Sequence, residues 1–99
     1  AQLTDEKDFI PRQNLNTIDL ITIFHWSEDT FLSKTEGSAI RRIGFSSWIR
    51  NIAIALGNAP ASSDIIHALN TRLHHNDPII REHVQWAIQQ QMVKLATMT

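Results

Sequence analysis

Apolar residues in the middle of the chain recur with the period of an α-helix, and this stretch constrains the fold more than any other. Phe45, Ile49, Ile52 and Leu56 lie at offsets of 0, 4, 7 and 11, which places them on one face of a helix. Further apolar residues flank this line, including Trp48. A stripe of this width is typical of a helix that is buried on much of its circumference.

The same period predicts helices before and after this stretch. We expect them from Asn16 or Thr17, after Ser27, from Ser38 to Ile43, after Ser62 or Ser63, and from Asp77-Pro78 to about Ala96. Ser, Asn and Asp at these starts cap the first turn with a side-chain oxygen. Gly37 ends the second helix, Gly57-Asn58 closes the central one, and Pro60 prevents its continuation. No segment alternates with period two, so the predicted fold class is all-α.

The predicted core follows from the apolar stripes of these helices. Its members are Ile21, Phe24, Trp48, Ile52, Leu56, Ile66, Leu69, Leu73, Val84, Trp86 and Ala87. We interpret Trp48 and Trp86 as core residues rather than base-stacking platforms, because both lie within apolar stripes.

A short internal repeat refines the expected architecture. The segment Ile49-Arg50-Asn51-Ile52-Ala53 aligns with Ile80-Arg81-Glu82-His83-Val84 at a spacing of 31 residues. Repeats of this length built from two helices are typical of α-solenoids, and an ordinary helical bundle is the alternative. Short turns favour antiparallel neighbours. We therefore predict short antiparallel helical hairpins stacked as a HEAT-like α-solenoid fragment over residues 17–99, after an extended tether over residues 1–16.

Composition excludes several kinds of site. The chain has no Cys among its 99 residues, so it offers no disulfide, iron–sulfur ligand or thiol nucleophile. Its five His lack the spacing of a metal site, and its Ser residues lack a His and acid pattern for hydrolysis. No apolar run is long enough to span a membrane. From the sequence we predict no catalytic, metal or cofactor residue in this chain.

Charge is unevenly distributed although the formal net charge is only −1. Residues 30–63 hold four basic residues against one acidic residue, whereas residues 1–29 hold two against six. A basic middle of this kind can bind an anion, and solvated helix charge is the alternative interpretation.

Three stretches together resemble one enzyme family. They are Thr35-Glu36-Gly37-Ser38-Ala39-Ile40-Arg41-Arg42-Ile43-Gly44, Trp48-Ile49-Arg50-Asn51-Ile52-Ala53-Ile54-Ala55-Leu56-Gly57-Asn58-Ala59, and Arg81-Glu82-His83-Val84-Gln85-Trp86-Ala87-Ile88. In this order and spacing they resemble the C-terminal domain of epoxyqueuosine reductase. The resemblance extends over nearly the whole chain.

The resemblance implies a role in tRNA modification. Members of this family reduce epoxyqueuosine to queuosine in tRNA, using a cobalamin and two [4Fe–4S] clusters held by upstream catalytic and ferredoxin-like domains. It implies that the present chain, without a cofactor of its own, helps to hold the tRNA anticodon stem-loop in the cytoplasm. A HEAT-like protein-interaction scaffold is the alternative function.

The candidate RNA contacts lie in the basic middle of the chain: Lys34, Ser38, Arg41, Arg42, Arg50 and Asn51. Lys and Arg side chains neutralise backbone phosphates, and Arg can clamp a phosphate through two hydrogen bonds. Backbone N–H groups after Ser38 can also bind a phosphate oxygen. For Arg81 we favour a structural role, because Asp77 lies four residues earlier on the same helix. For Arg50 both roles remain open.

Overall fold

The computed structural model describes residues 16–98, which form five α-helices and one 3-10 helix. These are α1 (Thr17–Phe24), α2 (Glu28–Lys34), the 3-10 helix (Ala39–Ile43), α3 (Gly44–Asn58), α4 (Ser63–Asn70) and α5 (Pro78–Thr97). No strand occurs among the described residues, and the predicted all-α class is confirmed. The predicted tether lies outside the described residues except for Asn16.

Side-chain caps explain where four of these α-helices begin. The side-chain oxygens of Asn16, Ser27, Ser62 and Asp77 accept hydrogen bonds from backbone N–H groups of the first turns of α1, α2, α4 and α5. At α5, Pro78 follows the cap at a position where its missing N–H costs no hydrogen bond. The predicted starts are therefore confirmed, because capping depends on residues that are close in sequence.

Helices α3 and α5 form the most extensive helix contact, and they run parallel. Near their first turns, Ser46 of α3 lies close to the Asp77 carboxylate, and this hydroxyl is the largest of the causes that lower the pKa of Asp77. Further along, Gly57 of α3 meets Ala87 of α5. The spacing of 31 residues seen in the sequence is thus close to the register of α3 on α5.

The remaining helices pack around this pair. Helix α1 contacts α3 and α4, α4 contacts α5, and α2 contacts α3. The main contact joins helices that are not consecutive, because α4 lies between α3 and α5 in the chain. The antiparallel arrangement of consecutive helices stays a prediction. HEAT-like stacking stays a prediction.

The core is centred on α3. Its buried apolar residues are Leu20, Phe24, Phe31, Trp48, Ile49, Ile52, Ala53, Leu56, Ile65, Ala68, Leu69, Ile80, Val84 and Ala87. Most of the predicted core is confirmed. Ile21 and Ile66 are only half-buried, because α1 and α4 are rotated so that neighbouring residues, Leu20 and Ile65, point inward instead. Leu73 is also half-buried and lies in the turn after α4.

Trp86 is the larger error in the predicted core. Its side chain is 38% exposed, whereas Ile80, Val84, Ala87 and Gln91 form the buried face of α5. Trp86 precedes Ala87 by one residue and is therefore about 100° around the helix from it. This rotation places the indole at the edge of the buried face.

Helix α3 ends at Gly57-Asn58 as predicted, and Gly57 is buried in its last turn. A Cβ atom at this position would be 2.6 Å from Cζ3 of Trp86 and 3.0 Å from Cα of Ala87. The first distance is shorter than any ordinary contact of a Cβ atom, and the second is at the lower limit of such contacts. The glycine therefore allows α3 and α5 to approach closely.

Buried polar side chains from α5 complete the C-terminal end of α3. The amide nitrogen of Gln91 donates to the carbonyl oxygens of Leu56 at 2.8 Å and Ala59 at 3.0 Å. Its amide oxygen accepts from the N–H of Ser62 at 2.9 Å. Helix ends leave carbonyl groups without partners inside the helix, so Gln91 satisfies such groups in a place that water does not reach.

Lys94 adds to this arrangement one turn later on α5. Its ammonium group donates to the carbonyl oxygens of Gly57 at 2.8 Å and Ala59 at 2.7 Å. A cation at the C-terminal end of a helix also interacts favourably with the helix dipole. Lys94 is consequently engaged with α3 rather than available as part of a basic surface.

Candidate nucleic-acid interface

The candidate contacts centre on the 3-10 helix and on the turn that leads into it. Gly37 has a φ of +80°, a conformation that favours glycine. Ser38 caps the 3-10 helix, with its hydroxyl oxygen accepting from the N–H of Ile40 at 3.1 Å. This N–H is therefore used within the protein, and Ser38 itself has a structural role in the turn.

The charged members of the candidate set differ in exposure. Lys34 at the end of α2 and both Arg41 and Arg42 on the 3-10 helix are exposed. Successive residues of a 3-10 helix point about 120° apart, yet both arginines reach solvent here. Arg50 and Asn51 lie on α3 and are half-buried. The structure thus places three exposed cations on one short segment and two half-buried residues on the helix that follows it.

Aromatic packing holds this segment against the core. The rings of Phe31 and Phe45 meet edge-to-face with their centroids 5.8 Å apart. The buried hydroxyl of Thr35 donates to the carbonyl oxygen of Phe31 at 2.6 Å, and Ile40 packs against the core. The backbone that carries Arg41 and Arg42 therefore lies between elements fixed by packing.

Arg72 was not singled out in the sequence, although it makes several contacts across the fold. Its Nε donates to the carbonyl oxygen of Phe24 at 3.0 Å, and an Nη donates to that of Trp26 at 2.7 Å. The guanidinium also lies 5.4 Å from the ring centroid of Phe24 and 5.6 Å from that of Phe45. Burial lowers the pKa of Arg72, and its role is to join the end of α1 to the start of α3.

Replacing Arg72 by Lys should reduce the free energy of unfolding by about 1.5 kcal/mol. An ammonium group keeps the charge, but it lacks the planar fork that bonds two carbonyls and stacks on rings. Urea denaturation of the chain measures this change. The matched control is Arg42→Lys at an exposed position, which we expect to be neutral. Equal stability of the two variants would contradict the structural role of Arg72.

Arg81 also has a structural role, with different partners from those expected. It donates to the carbonyl oxygens of His75 at 2.7 Å and Asn76 at 3.0 Å, and so fixes the turn before α5. The Asp77 carboxylate instead accepts from the N–H of Ile79 at 2.9 Å. Arg81 is therefore not a candidate RNA contact.

The tryptophans divide into two groups. Trp48 is 1% exposed and stacks on Trp26 with centroids 5.6 Å apart and ring planes at 17°, which confirms its predicted place in the core. Trp26 is half-buried in this stack. Trp86, in contrast, presents part of its indole to solvent. A base could therefore reach Trp86 far more readily than Trp48.

Two further findings concern other kinds of site. Within residues 16–98, no three His, Asp or Glu side chains are grouped closely enough to hold a metal ion. Among the described helices, none has the length and apolar character needed to cross a membrane.

Comparison with known proteins shows what the chain is similar to. The chain is 55% identical over 94 residues to epoxyqueuosine reductase of Salmonella typhimurium, covering 95% of this chain and 24% of that protein. Its identity to the enzymes of Yersinia pestis and Escherichia coli is 54%, over 98% and 93% of the chain and 23% and 24% of those proteins. The chain is homologous to the C-terminal part of epoxyqueuosine reductase. The resemblance inferred from the motifs is thereby confirmed.

The match covers only part of the related enzymes. The chain spans about a quarter of the length of the epoxyqueuosine reductases that it matches. No protein-family model matches it, and no solved structure does. The match therefore shows the homology of this segment to part of those enzymes, whereas the role of the segment has to be argued from its own residues.

Proposed function

We propose that this chain is a tRNA-binding segment of an epoxyqueuosine reductase and helps to position the anticodon stem-loop of the substrate. The observation that carries the proposal is the exposure of Lys34, Arg41 and Arg42 on one short segment. Only one acidic residue, Glu36, occurs between residues 30 and 63. Such a segment matches the regularly spaced negative charge of an RNA backbone.

Three other basic residues are engaged within the fold, which leaves Lys34, Arg41 and Arg42 as the better candidates for RNA contacts. Arg72, Arg81 and Lys94 each donate hydrogen bonds to backbone carbonyls. Their positions are set by the fold, whereas exposed Arg41 and Arg42 can turn toward a phosphate. The 3-10 helix is therefore the part of the described chain best suited to an extended polyanion.

The reduction of epoxyqueuosine belongs, in this proposal, to other parts of the parent enzyme. A [4Fe–4S] cluster requires thiolate ligands, and the chain has no Cys, so its residues do not fit a cluster. No residue of this chain is assigned to cobalamin either. We place both groups in the upstream catalytic and ferredoxin-like domains, and the whole enzyme in the cytoplasm.

Replacing both Arg41 and Arg42 by Ala in the full-length enzyme should weaken binding of an anticodon stem-loop about tenfold at moderate salt. Each lost phosphate contact should also reduce the slope of log K against log salt by about 0.7–0.9. Fluorescence anisotropy with a labelled stem-loop, repeated at several salt concentrations, measures both quantities. The metal content of the enzyme should not change.

The control is His74→Ala, an exposed change in the turn before α5. His75 is unsuitable because its Nδ1 accepts a hydrogen bond from the N–H of Asp77 at 3.0 Å. Unchanged binding by the double arginine variant, together with weaker binding by the His74 variant, would place the RNA on another face. If neither change affected RNA binding and both reduced binding of a protein partner, the scaffold function would replace this proposal.

A further inference from the structure

A groove runs along the outer surface between α3 and α5. It is lined by Ile54, Glu82, His83 and Trp86, and its volume is about 300 Å³. This size is at the lower end of the range for small-molecule sites. It fits a single planar ring system better than a helix or an extended chain.

The indole of Trp86 forms a fixed wall of this groove. Its Cζ3 edge lies against Gly57 of α3, where a Cβ atom would come within 2.6 Å of it. The ring is held by the close approach of two helices, yet it remains 38% exposed. A partly exposed aromatic ring with a restricted position can stack on a nucleobase at a low cost in side-chain entropy.

The polar groups of the groove are acceptors. Nδ1 of His83 lies 2.8 Å from the carbonyl oxygen of Ile79. Because a carbonyl can only accept, Nδ1 carries the proton and Nε2 of the neutral ring is left as an acceptor. The exposed carboxylate of Glu82 is an acceptor as well. Two acceptors repel a phosphate but suit the exocyclic amino group of a base.

A cation lies next to this groove on α3. Arg50 precedes Ile54 by four residues and therefore shares its helix face one turn earlier. It is half-buried, and it belongs to the stretch that holds Arg41 and Arg42. Arg50 thus offers a phosphate contact at one end of the groove.

We propose that this groove binds one unstacked nucleobase that carries an exocyclic amino group, from the single-stranded loop of the tRNA. The base stacks on Trp86, its amino group donates to Glu82 or His83, and the adjoining phosphate contacts Arg50. This inference rests on the proposed function and deepens it. It assigns base contacts to α5, whereas the phosphate contacts of the proposed function belong to the 3-10 helix.

The test uses the full-length enzyme with Trp86→Ala, Trp86→Phe and Glu82→Gln. With a labelled anticodon stem-loop, Trp86→Ala should weaken binding about tenfold, a loss within the range for one base–aromatic stack. The slope of log K against log salt should stay unchanged, because no phosphate contact is removed. Trp86→Phe should recover most of the affinity, and Glu82→Gln should reduce it selectively for loops rich in amino-bearing bases.

Val93→Ala is the matched control, since Val93 is an exposed apolar residue two turns further along α5. It should bind RNA like the unchanged enzyme. A fully base-paired RNA of equal length should not distinguish Trp86→Ala from the unchanged enzyme. A loss of affinity that is equal for paired and looped RNA would overturn the proposal.

The outcomes also separate this inference from the proposed function. If the Arg41 and Arg42 double variant weakens binding while Trp86→Ala and Trp86→Phe do not, the groove assignment is wrong and the function stands. If no variant affects RNA binding, both the groove assignment and the proposed function are wrong. Unchanged RNA binding in Trp86→Ala, with only a small loss of stability, would assign Trp86 to packing against Gly57 alone and would overturn the proposal.

Discussion

Replacing Trp48 by Ala should reduce the free energy of unfolding by about 4 kcal/mol, because truncating a buried aromatic residue loses its transfer free energy and leaves a cavity. Trp48 is 1% exposed and contacts two further rings, those of Trp26 at 5.6 Å and Phe31 at 5.5 Å. Domains are stable by only about 5–15 kcal/mol. Urea denaturation followed by circular dichroism measures this loss.

A matched control for this substitution lies on α5. Trp86→Ala removes the same side chain from the edge of the buried face, where 38% of it is exposed. We expect a loss of about 1 kcal/mol there, since less apolar surface returns to water. If the two tryptophan variants were equally stable, the position of the core around α3 would be wrong.

Replacing Gln91 by Ala should cost about 3 kcal/mol. The change leaves the Ser62 N–H without its partner and removes one of the two donors to the Leu56 carbonyl, which keeps the N–H of Ala59 at 3.3 Å. Each buried polar group left without a hydrogen bond costs about 1–3 kcal/mol, and the lost side-chain volume adds to this cost. The carbonyl of Ala59 keeps Lys94 as a donor, which limits the loss. Thermal and urea denaturation measure the effect.

A second variant separates hydrogen bonding from volume. Gln91→Leu retains most of the side-chain volume but makes no hydrogen bond, so we expect a loss close to that of the alanine variant. Gln89→Ala, an exposed change on the same helix, should be nearly neutral. A Gln91→Leu variant as stable as the unchanged chain would show that the three hydrogen bonds contribute little.

The sequence was sufficient for features that depend on neighbours in the chain. Helix starts such as Asp77-Pro78 are local, and the stripe from Phe45 to Leu56 has one clear apolar face. In α1 the sequence does not decide which of two neighbouring residues is buried, because both Leu20 and Ile21 belong to apolar stripes of the helix. The contacts of α1 with α3 and α4 decide for Leu20, and a single sequence does not contain that information.

The candidate site was predictable to a similar degree. The basic stretch and its exposed Arg41 and Arg42 could be found from charge alone. The structural role of Gln91 could not be found from the sequence, because a glutamine on a helix is usually a solvated surface residue. Trp86 was assigned to the core for a related reason. Periodicity shows that a residue lies near the apolar face of a helix, but it does not show whether a residue at the edge of that face is buried or exposed.

The end of α3 has a consequence for how the chain folds. Its last carbonyls are satisfied by Gln91 and Lys94, which lie more than thirty residues later. Until α5 docks, the Gly57 carbonyl has only water as a partner and the Leu56 carbonyl has only the N–H of Ala59, so the final turn of α3 is prone to fray. Closing so long a loop costs chain entropy that local contacts do not offset. The two helices therefore gain their protection from amide hydrogen exchange together, as one cooperative unit.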